Sequence, residues 1–342
     1  MRIGITYDLR SEYVALGMSL DDAAEFDRDD TIVHLEQALA ELGHTSDRIG
    51  SARALMARLT AGDDWDLVLN IAEGIEGMGR EAQVPAILDV YGIPYTFSDP
   101  LVMSLTLHKG LTKQVLAAAG LPTAPFAVIS KLEDLEGLTL PYPLFAKPIA
   151  EGTSKGVTSL SKVTSPEALR AICEHLLREH QQSVLVETYL DGREFTTGLL
   201  GEGVSTRVLG SLEIKLRSDS DQVGYTYRNK ENCEELIIYD LIRPADDPLV
   251  KEVEALSLAT WKTLGCRDAG RVDIRCDSLG KPYLLEVNPL AGLHPEHSDL
   301  PMLATKIGMT YTELIGAIIA CATPRVAASR QSKARRLPRK QL

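Results

Sequence analysis

Positions 2–7 alternate apolar and polar side chains and favour β-branched residues, which predicts a strand. Asp27, Asp29 and Asp30 then precede apolar residues at 32, 35, 38, 39 and 42, one face of a helix that Gly43 closes. Residues 66–72 form an apolar run of the buried parallel-strand kind. A loop over 73–79 and a helical stretch over 81–90 follow. Strand, helix, strand, helix predicts an α/β layer with a parallel sheet.

From Leu107 the texture changes. A helix is expected over 109–119, with Gly120 and Pro122 as its stop, then strands over 126–129 and 143–148. A Gly/Ser/Thr loop over 151–156, a strand over 157–160, a helix over 166–178 and a strand over 184–189 complete a small unit near residue 190. The remainder mixes strands with a helix over 248–264. Strands over 270–275 and 282–288 follow, then two helices. The expected division is 1–106, 107–190 and 191–323, with 324–342 as a disordered tail carrying seven Arg/Lys and no acid.

The 342 residues bring 48 acids against 36 bases, for a net charge of −12, which argues against a nucleic-acid partner. Five cysteines without a C-x-x-C pair suit free thiols in a reducing compartment. An acid at position 8 comes too early for a signal peptide, and no apolar run approaches the ~20 residues of a membrane span. The expected setting is cytoplasmic, with neither membrane nor nucleic acid as partner.

Arg271 and Asp273 share one face of a strand otherwise apolar, and Glu286 and Asn288 share one face of the next. If these strands are antiparallel neighbours, Asp273, Glu286 and Asn288 converge as oxygen donors of the kind magnesium takes. The loop Glu151, Gly152, Thr153, Ser154, Lys155, Gly156 exposes backbone N–H groups able to cradle an anion. Lys147 lies upstream on an apolar strand, an awkward place for a lysine without a buried anion, and Lys109 is a further candidate cation. The loop over 73–80 has the glycine order G-x-x-G-x-G and follows a later strand, so it is no dinucleotide fingerprint. His294 and His297 read as polar loop residues rather than zinc ligands, and Cys266 and Cys276 as core thiols.

In this order, Leu69–Gly74, Gly92–Ser98, Lys109–Lys113, Ala119–Thr123, Ala146–Pro148 with the glycine loop, Val186–Leu190, Gly192–Phe195, Gly270–Asp273 and Glu286–Pro289 before Gly292 resemble the D-alanine–D-alanine ligase branch of the ATP-grasp superfamily. The resemblance implies an α/β chain, α+β in its ATP-binding half: an ATP-grasp fold behind an N-terminal Rossmann-like domain. It implies ATP held by Lys109, Lys147, the loop residues Glu151, Gly152, Thr153, Ser154 and Gly156, adenine near Glu187, Tyr189 and Leu190, and ribose on Glu194. Two Mg²⁺ ions would sit on Asp273, Glu286 and Asn288, with Arg271 and the Gly292 N–H at a developing oxyanion. Lys230 matches a lysine that meets phosphate and substrate carboxylate, and Ser298 the serine for the second substrate's carboxylate. Partners would be small-molecule amino acids or peptides, and family members are often homodimers.

The departures fall where substrates would sit. The family's first-loop glutamate has only Glu12 as a stand-in, its His-Gly is Glu73-Gly74, and its Gly-Glu-Asp-Gly is replaced by a stretch ending in Arg80. Glu231 stands for a tyrosine after Lys230, and Asp299 for an apolar residue beside Ser298. The expectation is therefore an ATP-dependent carboxylate–amine ligase acting through an acyl phosphate on a pair other than two D-alanines. The alternatives are D-alanine–D-alanine ligase of wall-precursor synthesis, a non-catalytic ATP-binding sensor or scaffold, and a kinase. Arg80 is the cation in sequence able to answer Glu73. Asp299 has no such neighbour, which predicts a substrate larger than alanine with a cationic or strongly donating group.

Overall fold

The N-terminal alternation becomes a three-stranded parallel sheet in the order β2-β1-β3, from β1 (Arg2–Thr6), β2 (Thr45–Gly50) and β3 (Leu67–Asn70). The computed structural model describes residues 1–335 apart from 21, 222, 225, 227, 230 and 231. Short α1 (Arg10–Ala15) leads to α2 (Asp29–Glu41), α3 (Ala52–Thr60) and α4 (Gln83–Tyr91) around this sheet. Ile32, Leu35 and Leu39 of α2 bury the predicted apolar stripe against Ile3 and Ile5.

α5 (Pro100–Leu107), capped by the Asp99 side chain, and α6 (Lys109–Ala118) lead into a four-stranded antiparallel sheet, order β4-β7-β5-β6. Its strands are β4 (Phe126–Ile129), β5 (Leu144–Pro148), β6 (Lys162–Val163) and β7 (Val184–Thr188), with α7 (Pro166–His180) packed on it. The strand expected over 157–160 is instead a turn and a 3-10 segment, Ser159–Ser161, capped by the Thr158 hydroxyl. That hydroxyl offers the backbone a local partner in place of a sheet ladder.

A second antiparallel sheet runs β10-β9-β8-β11-β12, from β8 (Glu194–Leu200), β9 (Arg207–Leu216), β10 (Ile237–Ile242), β11 (Ala269–Cys276) and β12 (Pro282–Asn288). Strands β11 and β12 are antiparallel neighbours, with Asp273 opposite Glu286 and Arg271 opposite Asn288. α8 (Pro248–Leu264) packs Val250, Val253 and Trp261 beneath them, with Cys266 and Cys276 in the same core.

α9 (Asp299–Lys306) and α10 (Tyr311–Arg335) return to the first sheet, where Leu314, Ile315, Ile318 and Ile319 join Ile3 and Ile5 in one core. The tail expected to be disordered from residue 324 is helical through Arg335. Pro324 lies inside α10. Arg325 pairs with buried Asp268 and donates to the Tyr95 carbonyl, Ser329 donates to the Gly92 carbonyl at 2.9 Å, and Arg330 pairs with Asp66 at 2.6 Å. Two of the basic residues here, Arg325 and Arg330, thus meet acids carried by other segments. Residues 336–342 of that tail lie outside the described residues. Among the described residues no single helix is both long and apolar enough to cross a membrane.

Candidate active site

Two cavities meet at β11 and β12. The smaller, about 110 Å³, lies between the two antiparallel sheets and is lined by Lys109, Lys147, Glu187, Tyr189, Leu190 and Glu194, with Glu151, Thr153 and Ser154 of the glycine loop. The larger, about 190 Å³, opens toward the parallel sheet and is lined by Glu25, Glu73, Glu81, Gly292, Ser298 and Asp299, among others. Arg271, Glu286, Asn288 and Thr153 line both. The structure thus brings most of the expected residues to one place.

Three carboxylates of the smaller cavity, Glu187, Glu194 and Glu286, each meet a cation. Glu187, 2% exposed, lies between Lys113 at 2.6 Å and Lys147 at 2.7 Å. Burial pushes its carboxyl up, but the two lysines outweigh that and hold it at about 2. Lys109 reaches Glu286 at 3.2 Å and donates to the Glu151 carbonyl at 2.6 Å. Burial raises the Glu286 carboxyl, and Lys109, Lys147 and Arg271 together bring it below its ordinary value. Arg275 pairs with Glu194 at 3.4 Å and donates to the Tyr189 hydroxyl, with its guanidinium over the Tyr189 ring. Sequence reasoning gave no role to Lys113 or Arg275. Periodicity held the clue for both: Lys113 follows Lys109 by one helical turn, and Arg275 continues the 271, 273 face.

Asp273 accepts from the Thr196 hydroxyl at 2.7 Å and from the Asn288 amide at 3.0 Å. Burial pushes its carboxyl up to about 6, against the pull of Arg271. Clustered hard oxygens with that excess of negative charge suit magnesium, and Asp273, Glu286 and Asn288 are the residues that would hold it. In the glycine loop, a Cβ at Gly152 would fall 2.2 Å from Glu25 Oε1, so a larger residue there would displace the Glu25 carboxylate from its place at the larger cavity. Thr153 and Ser154 take left-handed backbone angles, φ 49° and 56°, a strained turn of the sort found at ligand clamps.

The larger cavity departs from expectation at three points. Glu12 is exposed on the outer side of α1 and lines neither cavity; Glu25, from the loop before α2, reaches the site instead. Arg80 does not pair with Glu73. Its guanidinium donates to Glu25 at 2.9 Å and to the Ala150 carbonyl at 2.8 Å, because the short 3-10 turn carrying it packs toward the glycine loop. Asp299 is not left without an internal cation, since its carboxylate binds the Arg271 guanidinium directly. The reason given for a cationic substrate group at Asp299 therefore falls.

Glu25, Glu73 and Glu81 each offer an oxygen within 4.8 Å of the others. Burial, then the neighbouring carboxylates, raises the Glu73 carboxyl and pushes Glu81 up to about 8. Glu25 and Glu81 carried no periodic signal, because loops and a 3-10 turn aim them. Gly292 lies against Ser298, whose hydroxyl accepts from the His294 N–H at 3.0 Å. His294 Nδ1 accepts the N–H groups of Glu296 and His297, the turn role read from the sequence. Lys230 and Glu231 lie outside the described residues.

A family model described as D-ala D-ala ligase C-terminus matches residues 115–320. A D-alanine–D-alanine ligase of Cupriavidus necator is 32% identical over 247 residues, covering 72% of this chain and 72% of that protein. One of Bordetella avium is 33% identical over 249 residues, covering 72% and 75%. An uncharacterized protein, y4sG, of Sinorhizobium fredii is 33% identical over 254 residues, covering 74% and 73%. The crystal structure of a D-alanine–D-alanine ligase from Bacillus anthracis complexed with ATP superposes over 97% of this chain and 99% of that one, with a TM-score of 0.70 and 24% identity.

Proposed function

This chain belongs to the D-alanine–D-alanine ligase family and is a ligase of the ATP-grasp type, and we propose that it joins a carboxylate to an amine with ATP, yielding amide, ADP and phosphate. The observation that carries the reading is the shared wall: Arg271, Glu286 and Asn288 face both the cleft between the antiparallel sheets and the larger cavity. A nucleotide in the first and a carboxylate in the second would meet there.

In this reading Glu187, Tyr189 and Leu190 border the base, Glu194 takes the ribose, and Lys109 and Lys147 face the phosphates under the loop 151–156. The donor carboxylate oxygen attacks the γ-phosphorus, the β–γ bond breaks, and ADP leaves with the electron pair. Asp273, Glu286 and Asn288 are the residues that would hold magnesium, which would supply charge neutralisation during phosphoryl transfer. The acceptor amine then attacks the acyl phosphate carbonyl. Arg271 and the Gly292 N–H stabilise the tetrahedral oxyanion, and phosphate leaves as the amide forms. The strained loop over 152–156 excludes water that would hydrolyse the acyl phosphate.

D-Alanine is the first donor and acceptor to assay, because named relatives are D-alanine–D-alanine ligases. That favours two D-alanines over the altered pair expected from the substrate loops. One observation keeps the second reading: with Arg80 committed to Glu25, the donor end still clusters the Glu73 and Glu81 carboxyl groups, more hydrogen-bonding capacity than one alanine ammonium engages. ADP release and product mass, for D-alanine alone and across single and paired amino acids, test both. A dipeptide of D-alanine mass is the expected product. A product from another pair only establishes the second reading, and no ATP-dependent product from any pair rejects the ligase reading.

A further inference from the structure

We propose that Asp299 is the positioning residue that holds the Arg271 guanidinium at the junction of the two cavities; this rests on the ligase reading above. An arginine carries its charge on a long stem of rotatable bonds, so a strand position alone does not fix where the guanidinium points. Here the fold supplies the fixing group from a different element.

Gly198 of β8 is opposite Arg271, and Gly210 of β9 is opposite Gly198. A Cβ at Gly198 would fall 2.5 Å from Leu303 and 3.1 Å from Leu300, and one at Gly210 would fall 3.3 Å from Leu303 and from Ile307. Two facing glycines thus make a shallow seat in the sheet, and α9 rests in it through Leu300 and Leu303, both 1% exposed. That seat sets the first turn of α9 beside β11. Asp299, in that turn, binds Arg271 Nη1 through Oδ2, while Asp273 Oδ2 stands 3.5 Å from the same nitrogen. The guanidinium is held between a strand carboxylate and a helix carboxylate, and it lines both cavities.

The two anchors differ in what else they do. Asp273 belongs to the proposed metal set and already accepts from Thr196 and Asn288. Asp299 lies outside that set, so its hold on Arg271 does not compete with metal binding. A cation aimed in advance at the place where charge develops avoids reorganisation during reaction, the largest usual source of catalytic stabilisation. A merely structural acid at a helix start would act on helix stability and leave turnover per folded molecule alone.

The test compares the full chain with Asp299→Asn and Asp299→Glu on the best substrate pair, reading kcat, KM for ATP and the thermal midpoint. Asp299→Asn is expected to lower kcat about tenfold or more, with KM for ATP and the midpoint nearly unchanged, and Asp299→Glu to recover part of the loss. Arg271→Lys is expected to cost less in the Asp299→Asn background than in the native chain. A native kcat in Asp299→Asn overturns the proposal, as does a loss that follows the thermal midpoint alone. Faster turnover of acceptors bearing a free carboxylate would also overturn it, since Asp299 would then be screening Arg271 from such acceptors. A native chain that turns over no pair rejects the ligase reading and this role together; an active native chain beside an unaffected Asn variant rejects this role alone.

Discussion

In the cleft between the antiparallel sheets, Glu187 faces two lysines, Glu286 faces Lys109 and Glu194 faces Arg275. At the far end of the larger cavity Glu25 takes Arg80, while Glu73 and Glu81 add carboxylates that form no ion pair among the described residues. In the first region these three carboxylates each meet an internal cation before any ligand arrives, and Asp273 is held up by burial against the pull of Arg271. In the second, burial and mutual repulsion hold Glu73 and Glu81 toward the protonated form, because buried carboxylates without a counterion are expensive. One end is therefore built to receive a ligand of fixed identity, and the other is built to be completed by its substrate.

The sharpest break of that comparison is at the wall between the regions. Glu286→Gln is expected to lower turnover by about a thousandfold while circular dichroism and the thermal midpoint stay close to native, because it removes a charge and almost no volume. An unfolded variant would make Glu286 structural and remove it from the metal set.

Within the matched region, Glu187→Gln leaves Lys113 and Lys147 without their shared carboxylate and is expected to cost about 3 kcal/mol in denaturant unfolding. The native contribution also has a defined pH window. Because the folded carboxyl is held at about 2, below its unfolded value near 4.5, the stability is fully present above that value. It is lost as pH falls toward 2, and Glu187→Gln should flatten the acid limb of stability against pH. A native-like acid limb in the variant would show that the lysines do not govern this carboxyl.

The unmatched region should behave with the opposite sign. Burial and Glu25 raise the folded Glu81 carboxyl from about 4.5 to about 8, so its share of stability is present below about 4.5 and is lost as pH rises from there through 8. Glu81→Gln is expected to flatten this loss between about pH 4.5 and 8, a gain on the order of 1 kcal/mol that is complete above pH 8. Glu73 and Glu81 share one environment, and the titration belongs to the cluster as a whole. An unchanged pH dependence between 4.5 and 8 would mean that Glu81 is already answered, and the contrast between the two regions would weaken.

The sequence was most readable where a short period sets position. The face shared by Arg271 and Asp273, its partner face with Glu286 and Asn288, and the helix Pro248–Leu264 follow from alternation and helical spacing alone. It was least readable where tertiary distance chooses partners. Arg80 is seven residues from Glu73 yet binds Glu25, and Asp299 binds an arginine 28 residues earlier. Glu12 and Glu25 are equivalent as letters in a loop-rich segment; only the packing of the segment before α2 decides which reaches the cavity. Composition misled in the last helix, because the acids and carbonyls that Arg325, Ser329 and Arg330 satisfy come from distant strands and loops.

That last helix also bears on the time course of folding. Ile3 and Ile5 of the first strand share a core with Ile315, Ile318 and Ile319, so the N-terminal sheet cannot finish its own interior while those residues are still unmade. At about 5–20 residues per second, the first strands wait tens of seconds on the ribosome beside an open apolar face. The two antiparallel sheets, whose most distant strand pairing runs from Glu194 to Arg275, wait less long than the core that Ile5 shares with Ile315. Ile3 and Ile5 are thus among the last residues to be sealed, and Arg325 and Arg330 close the seam.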